Sequence, residues 1–234
     1  MEVKIKIETQ DNLSQEGRWD IDYHLPPEEI RKFNRELIKN ISDVAFIVKE
    51  KRDPTKNPDK IFQYIDISCV DITSGTIVSP QELTGEEAPS RARKVVMKED
   101  IIISTCRPTR GAIAIVPSEL NDQIASTGFS VIRCKKDKIN PLYLQFVLKM
   151  ESTLEQFRKF STGSSYPAIL DSDVMKTQIP VPDLELQDKI ANFIDQEKKN
   201  REESIRLANN NYSDALLLAQ NSLNAGTFSD KSNH

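Results

Sequence analysis

Arg107-Pro108-Thr109-Arg110-Gly111 sets two guanidiniums three residues apart on a short turn between two apolar runs. Arginine offers paired N–H donors that match phosphate oxygens and the guanine edge. A proline–glycine turn holds such donors stiffly. Charge at this place in an apolar stretch is costly unless it meets a partner. Two further basic groups stand out: Lys51 and Arg52 in the polar stretch 49–60, and Arg91, Arg93 and Lys94 just before Val95-Val96. Lys51, Arg52, Arg91, Arg93, Lys94, Arg107, Thr109 and Arg110 are therefore the candidate contacts to nucleic acid. The competing reading for any one of them is an ordinary solvated surface charge.

The residues that would run a reaction are missing. Neither a phosphate-binding G-x-x-x-x-G-K-[ST] loop nor a G-x-G-x-x-G fingerprint can be written among the seven glycines. The only two histidines are His24 and the terminal His234, so hydrolase triads are not expected. Leu25-Pro26-Pro27-Glu28 fails at both ends of the [DN]-P-P-[YFW] motif of amino-methyltransferases. Glu197 and Lys199 match part of a P-D…[DE]-x-K nuclease pattern, but inside a helical stretch. Cys69, Cys106 and Cys134 are widely spaced and odd in number, which excludes a disulfide framework and a zinc site. They read as buried hydrophobes in a reducing cytoplasm. No catalytic residue, metal ligand or cofactor loop is assigned, and the chain reads as a binding module.

Behind these residues lies an α+β chain. Residues 1–8 alternate charged and apolar, as a strand does. Pro26-Pro27-Glu28-Glu29 opens a helix whose stripe is Ile30, Phe33, Leu37 and Ile41. Short apolar runs follow at 44–48, 62–67, 76–78, 94–97, 101–104, 111–116 and 129–133, with turns between them. That rhythm predicts a rolled or barrel-like antiparallel sheet. Asn140-Pro141 starts a second helix, with Leu144, Val147, Leu148 and Leu154 on its apolar face. Residues 161–167 form a loop, 171–177 a brief helical turn, and 178–182 an extended exit.

From Asp183 to about Leu223 there is neither proline nor glycine. Asp183 is the expected N-cap of a helix of about 40 residues, roughly 60 Å long. Ile190, Ile194, Ile205, Ala208, Tyr212, Leu216 and Ala219 recur at three and four, and 205, 212 and 219 keep a heptad. This seam predicts pairing with another helix. The alternative is a core helix broken near Asn200. The expected divisions are 1–182 for the strand-rich domain, 183–224 for the helix and 225–234 for a disordered tail.

The balance of 32 basic against 36 acidic residues gives a net charge of −4, which argues at first against nucleic acid. Resolved along the chain, residues 45–160 carry 18 basic and 15 acidic groups, whereas the two flanks are net acidic. The strand-rich middle is thus the basic part. No run of about 18 apolar residues or signal-like segment is present, so a membrane partner is not expected and the location expected is the cytoplasm.

Four segments carry a family resemblance: 100–115, which contains Cys-Arg-Pro-Thr-Arg-Gly; Ile124-Ala-Ser-Thr-Gly-Phe129; Ser161-Thr-Gly-Ser-Ser-Tyr-Pro-Ala-Ile169; and 179–190, which begins Ile-Pro-Val-Pro. In this order, over roughly residues 18–223, the chain resembles the specificity subunit of type I restriction–modification systems. The resemblance implies a target recognition domain followed by a long spacer helix. In the family two such units occur per subunit, their helices pack antiparallel, and each domain reads one part of a bipartite double-stranded DNA site. Methyltransferase subunits and motor/nuclease subunits are the implied partners; S-adenosylmethionine, ATP and Mg²⁺ would belong to them, and the specificity chain is not an enzyme.

This sequence holds one unit, so a homodimer through the helix is expected to restore the two-domain layout. The alternative is a fragment that pairs with a different half. Ser164, Ser165 and Tyr166 lie in a family motif, and two roles stay open for them: contact with DNA, or fixing the loop. Base readout is expected in loops 49–60 and 79–93, and the polar stretch 197–203 is expected to face the methyltransferase. Two other classes stand beside this reading: a methyltransferase or nuclease accessory in its own right, and a coiled-coil adaptor without DNA specificity.

Overall fold

The computed structural model describes Leu25, residues 28–163 and residues 165–225. The expected strand at 1–8, residue Ser164 and residues 226–234 of the expected tail lie outside the described residues. Ala225 closes the last helix.

The stripe Ile30, Phe33, Leu37 and Ile41 does not form one helix. It is divided among α1 (Glu28–Arg31), a 3₁₀ turn at 35–37, strand β1 (Ile38–Asn40) and α2 (Ile41–Val44). The reason is long-range. β1 pairs antiparallel with a distant strand, Ile38 opposite Pro180 and Asn40 opposite Gln178. Asn34 caps the 3₁₀ turn by accepting a hydrogen bond from the Glu36 amide. Spacing of three and four fixes neither of these, and tertiary pairing overrides it.

Strands β2 (Ala45–Ile47), β3 (Ile61–Ile65), β4 (Val70–Asp71), β5 (Thr76–Ile77) and β6 (Gln81–Thr84) follow, then β7 (Ala92–Val96), β8 (Ile101–Ser104), β9 (Ile113–Ile115), β10 (Gln123–Ser126) and β11 (Phe129–Cys134). The sheets are open rather than closed into a barrel. One runs β2-β11-β8-β9, a second β6-β3-β10-β7, and β4-β5 and β1-β12 are two-stranded ribbons, β12 being Gln178–Pro180. Pairing is antiparallel except where β10 runs parallel to β3.

β8 shows how the core is built. Ile101 and Ile103 enter one apolar cluster and Ile102 another, and all three are fully buried. Alternate side chains of a strand face opposite sides, so an unbroken apolar run marks a strand covered on both faces. On one side, Ile102, Phe129 and Val131 meet Ile65, Val96 and Ala125 of the second sheet. On the other, helices cover the sheet: α2, α3 (Pro141–Leu148), α4 (Glu151–Phe160) and α5 (Asp171–Lys176). The order of layers is helices, sheet, sheet.

The expected single helix after Pro141 is two helices, α3 and α4, with Met150 extended at the joint. The Thr153 hydroxyl donates to the Val147 carbonyl at 2.7 Å, adding to the Met150 amide bond at 3.3 Å on the same acceptor. Buried glutamines do similar work. Gln156 and Gln178 exchange side chain to backbone bonds at 2.8 Å in both directions. Tyr143 donates to the Pro180 carbonyl, and burial pushes its phenol up to about 12.

Asp183 caps the last helix, α6 (Leu184–Ala225), by accepting from the Leu186 amide at 2.9 Å. Gln187 is fully buried; its side chain donates to the Pro182 and Lys138 carbonyls and accepts from the Asn140 amide. Residues through Ala191 belong to one compact unit, and those from Asn192 form a second, consisting of the rest of α6 among the described residues.

Candidate nucleic-acid interface

Two segments that are far apart in sequence build the main basic cleft. β8 ends at Ser104, whose hydroxyl donates to the Cys106 carbonyl at 2.8 Å. The chain then turns left-handed at Arg107, with φ 48° and ψ 54°. That conformation is unfavourable for a residue with a Cβ and persists only where the surroundings fix it. The loop 162–169 does so. The Arg107 amide donates to the Pro167 carbonyl at 2.7 Å, the Ile169 amide to Thr105, and Cys106 bridges Ala168. Gly111, at φ 70°, supplies the second left-handed residue where no Cβ interferes.

The same loop supplies Tyr166, whose ring lies under the Arg107 guanidinium, 5.2 Å from carbon to centroid. This is a cation–π distance. The tyrosine is 72% exposed. Beside the pair opens a cleft of about 650 Å³, with Arg107, Arg110, Cys106 and Tyr166 on its walls and Ile67, Val70, Ile72 and Ala112 among its apolar residues. No acid lines it, and neither guanidinium has an ion-pair partner among the described residues. Thr109 is exposed on the same turn.

The second expected cluster divides. Arg52 binds Asp122 through both nitrogens, at 2.5 and 3.2 Å. This bond holds the Arg52 guanidinium above its ordinary value and the Asp122 carboxyl below its own. Arg93 pairs with Asp53 at 3.4 Å and donates to the Ala92 and Pro89 carbonyls. Both arginines are thus engaged inside the fold. Lys51 and Lys94 instead line a cleft of about 470 Å³ together with Lys49, Asp171, Ser172 and Met175. Arg91 is exposed at the edge of β7, with its carbonyl accepting from the Thr127 amide. Arg133, one of the basic residues of the middle region, clasps the fully buried Asp100 at 2.6 and 2.8 Å and is structural.

Of the remaining expected residues, Ser165 is exposed and Ser164 lies outside the described residues. In the helix, Ile190 packs against the core of the compact unit. Ile194 is half-buried, whereas Ile205, Ala208, Tyr212, Leu216 and Ala219 are exposed. The cysteine reading needs one correction: Cys69 and Cys134 are buried, but Cys106 is exposed, because it lies two residues beyond the end of β8 at Ser104. Burial pushes the Cys134 thiol up to about 12.

Sequence reasoning missed the pairing of Arg52 and Arg93. Their partners lie across the sheet, and no spacing signal could reveal them. No group of three or more His, Cys, Asp or Glu among the described residues is arranged to hold a metal ion, and no described helix is long and apolar enough to cross a membrane.

Comparison with known proteins places these features in a context. Residues 37–210 match the type I restriction modification DNA specificity domain. The chain is 26% identical over 157 residues to the type I restriction enzyme HindI specificity subunit of Haemophilus influenzae, covering 66% of this chain and 33% of that protein. Among solved structures it is similar to the HsdS subunit from Thermoanaerobacter tengcongensis, with 40% identity, a TM-score of 0.65, and coverage of 84% of this chain and 50% of that one. The S subunit from M. genitalium, at 16% identity and a TM-score of 0.51, shares the fold. The chain therefore spans a third to a half of the length of these relatives.

Proposed function

Because the chain belongs to the type I restriction–modification DNA specificity family, matched over residues 37–210, we propose that it reads one half of a bipartite DNA site. The observation that carries this reading is the cleft with Arg107 and Arg110 on its walls and no acid among its described lining residues. Five other arginines of the described chain (Arg52, Arg93, Arg133, Arg158 and Arg206) sit against carboxylates. Guanidiniums left open beside an exposed aromatic ring suit phosphate oxygens and base edges. Thr109, Arg91 and the lysines near Lys51 extend the contact set.

In this reading the chain is not itself an enzyme. It directs methyltransferase subunits, and with them motor/nuclease subunits, to the site; S-adenosylmethionine, ATP and Mg²⁺ act on those partners. Two copies pair through α6, whose exposed Ile205, Tyr212 and Leu216 form an uncovered apolar stripe. The homodimer reads an interrupted palindrome.

The test is methylome sequencing of cells that express the chain with its methyltransferase subunit. The expected result is adenine methylation at one bipartite palindromic motif, lost when Arg107 and Arg110 are both changed to Ala. A non-palindromic bipartite motif would replace the homodimer with a mixed pair. Methylation of DNA by the purified chain and methyl donor alone would overturn the non-catalytic reading.

A further inference from the structure

Lys51 and Lys94 stand directly opposite each other in an isolated antiparallel bridge. The flanking bonds run from the Arg52 amide to the Arg93 carbonyl, 2.9 Å, and from the Val95 amide to the Glu50 carbonyl, 3.2 Å. This makes Lys51–Lys94 a non-hydrogen-bonded pair, the type in which facing side chains come closest. Like charges placed so are destabilising. Lys94 is also largely covered, with its side chain 13% exposed. Burial lowers its ammonium below the ordinary lysine range; Lys51 pushes the same way and Asp171 opposes.

The compensation within the fold is thin. Asp171 stands 3.8 Å from the Lys94 ammonium, beyond the roughly 2.7–2.9 Å of a charge-assisted hydrogen bond. Lys49 lines the same cleft, so three lysines line it with Asp171. Glu50 lines it too, but its charge also acts on Arg52 and Arg133. The adjacent arginines have their own carboxylates, Asp122 and Asp53. Folding thus gathers lysines around a cleft and, among the described residues, leaves them short of negative charge.

We propose that Lys49, Lys51 and Lys94 form a phosphate seat that takes a backbone phosphate of duplex DNA, a second anchor sharing no residue with the Arg107–Arg110 cleft. The proposal rests on the DNA-reading function above. Lysine is a point charge with rotatable donors, so the seat fixes position without reading sequence.

The experiment measures duplex binding by the full chain across a salt series, with Lys51→Gln and Lys94→Met as variants. Each is expected to weaken target and unrelated duplexes by the same factor. Each should also make the plot of log affinity against log salt shallower by about one. An unchanged slope in Lys51→Gln would overturn the seat, and this exposed position answers the question should Lys94→Met fail to fold. If the unsubstituted chain bound no duplex, the DNA reading would fall separately. Inorganic phosphate at constant ionic strength would then decide the cleft. A rise in Tm that Lys51→Gln abolishes supports a seat for free phosphate, and no rise overturns it.

Discussion

The compact unit and the helix beyond it treat apolar side chains in opposite ways. Within the compact unit, Ile101, Ile102 and Ile103 are wholly buried between helices and a second sheet. In the helix from Asn192, Ile205 is 43% and Leu223 84% exposed, with Tyr212 and Leu216 between those values. Burial of a large aliphatic side chain contributes about 1.5–3 kcal/mol, so the first region carries its own stability. The second has sequence periodicity without a surface to spend it on. It leaves large apolar side chains uncovered among the described residues.

Substitutions can break or sharpen that contrast. The largest effect is expected from Ile102→Ala, which should destabilise the compact unit by about 2–5 kcal/mol in urea titration with the oligomeric state unchanged. Leu216→Asp should weaken self-association by about 3 kcal/mol, read by sedimentation, and leave the urea midpoint of the compact unit in place. A midpoint that falls with Leu216→Asp as far as with Ile102→Ala would erase the distinction. Arg107→Ala should cost about 1–3 kcal/mol in duplex affinity without moving that midpoint. Thr153→Val should lower stability by about 1 kcal/mol, through loss of the buried hydroxyl bond to the Val147 carbonyl. Arg52→Ala is the smallest: its partly exposed pair with Asp122 is worth about 0–1 kcal/mol, and duplex binding should hold.

The same contrast explains what the sequence makes legible. α6 is readable because everything that defines it is local: Asp183 as cap, then a long span with neither proline nor glycine. β8 is readable because burial on both faces leaves three consecutive isoleucines. β1 is not, since its helix-like spacing is overruled by a partner at 178–180. The joint between α3 and α4 is hidden for a similar reason, because Thr153 can satisfy a carbonyl six residues back.

At the candidate site, residue type alone treats Arg107, Arg110, Arg52 and Arg93 as equals. What separates them is a carboxylate supplied by Asp122 or Asp53, a fact of the fold. The stacking of Tyr166 on Arg107 is likewise invisible, although both residues stand out singly. A thiol-labelling measurement checks this geometry cheaply. Cys106 should react in the native chain while Cys69 and Cys134 stay protected, and bound duplex should slow the reaction of Cys106.

The ribbon of β1 and β12 also sets a timetable. Ile38 has no partner until Pro180 exists, and at synthesis rates of about 5–20 residues per second that wait is on the order of ten seconds. During it, β1 is an unpaired edge on a growing chain. The sheets that need only residues 45–134 can assemble first, and closure of the ribbon comes last, just as the cap at Asp183 starts the helix. A nascent chain stopped before Gln178 should therefore be the protease-sensitive one, and a chain stopped after Ala191 should not.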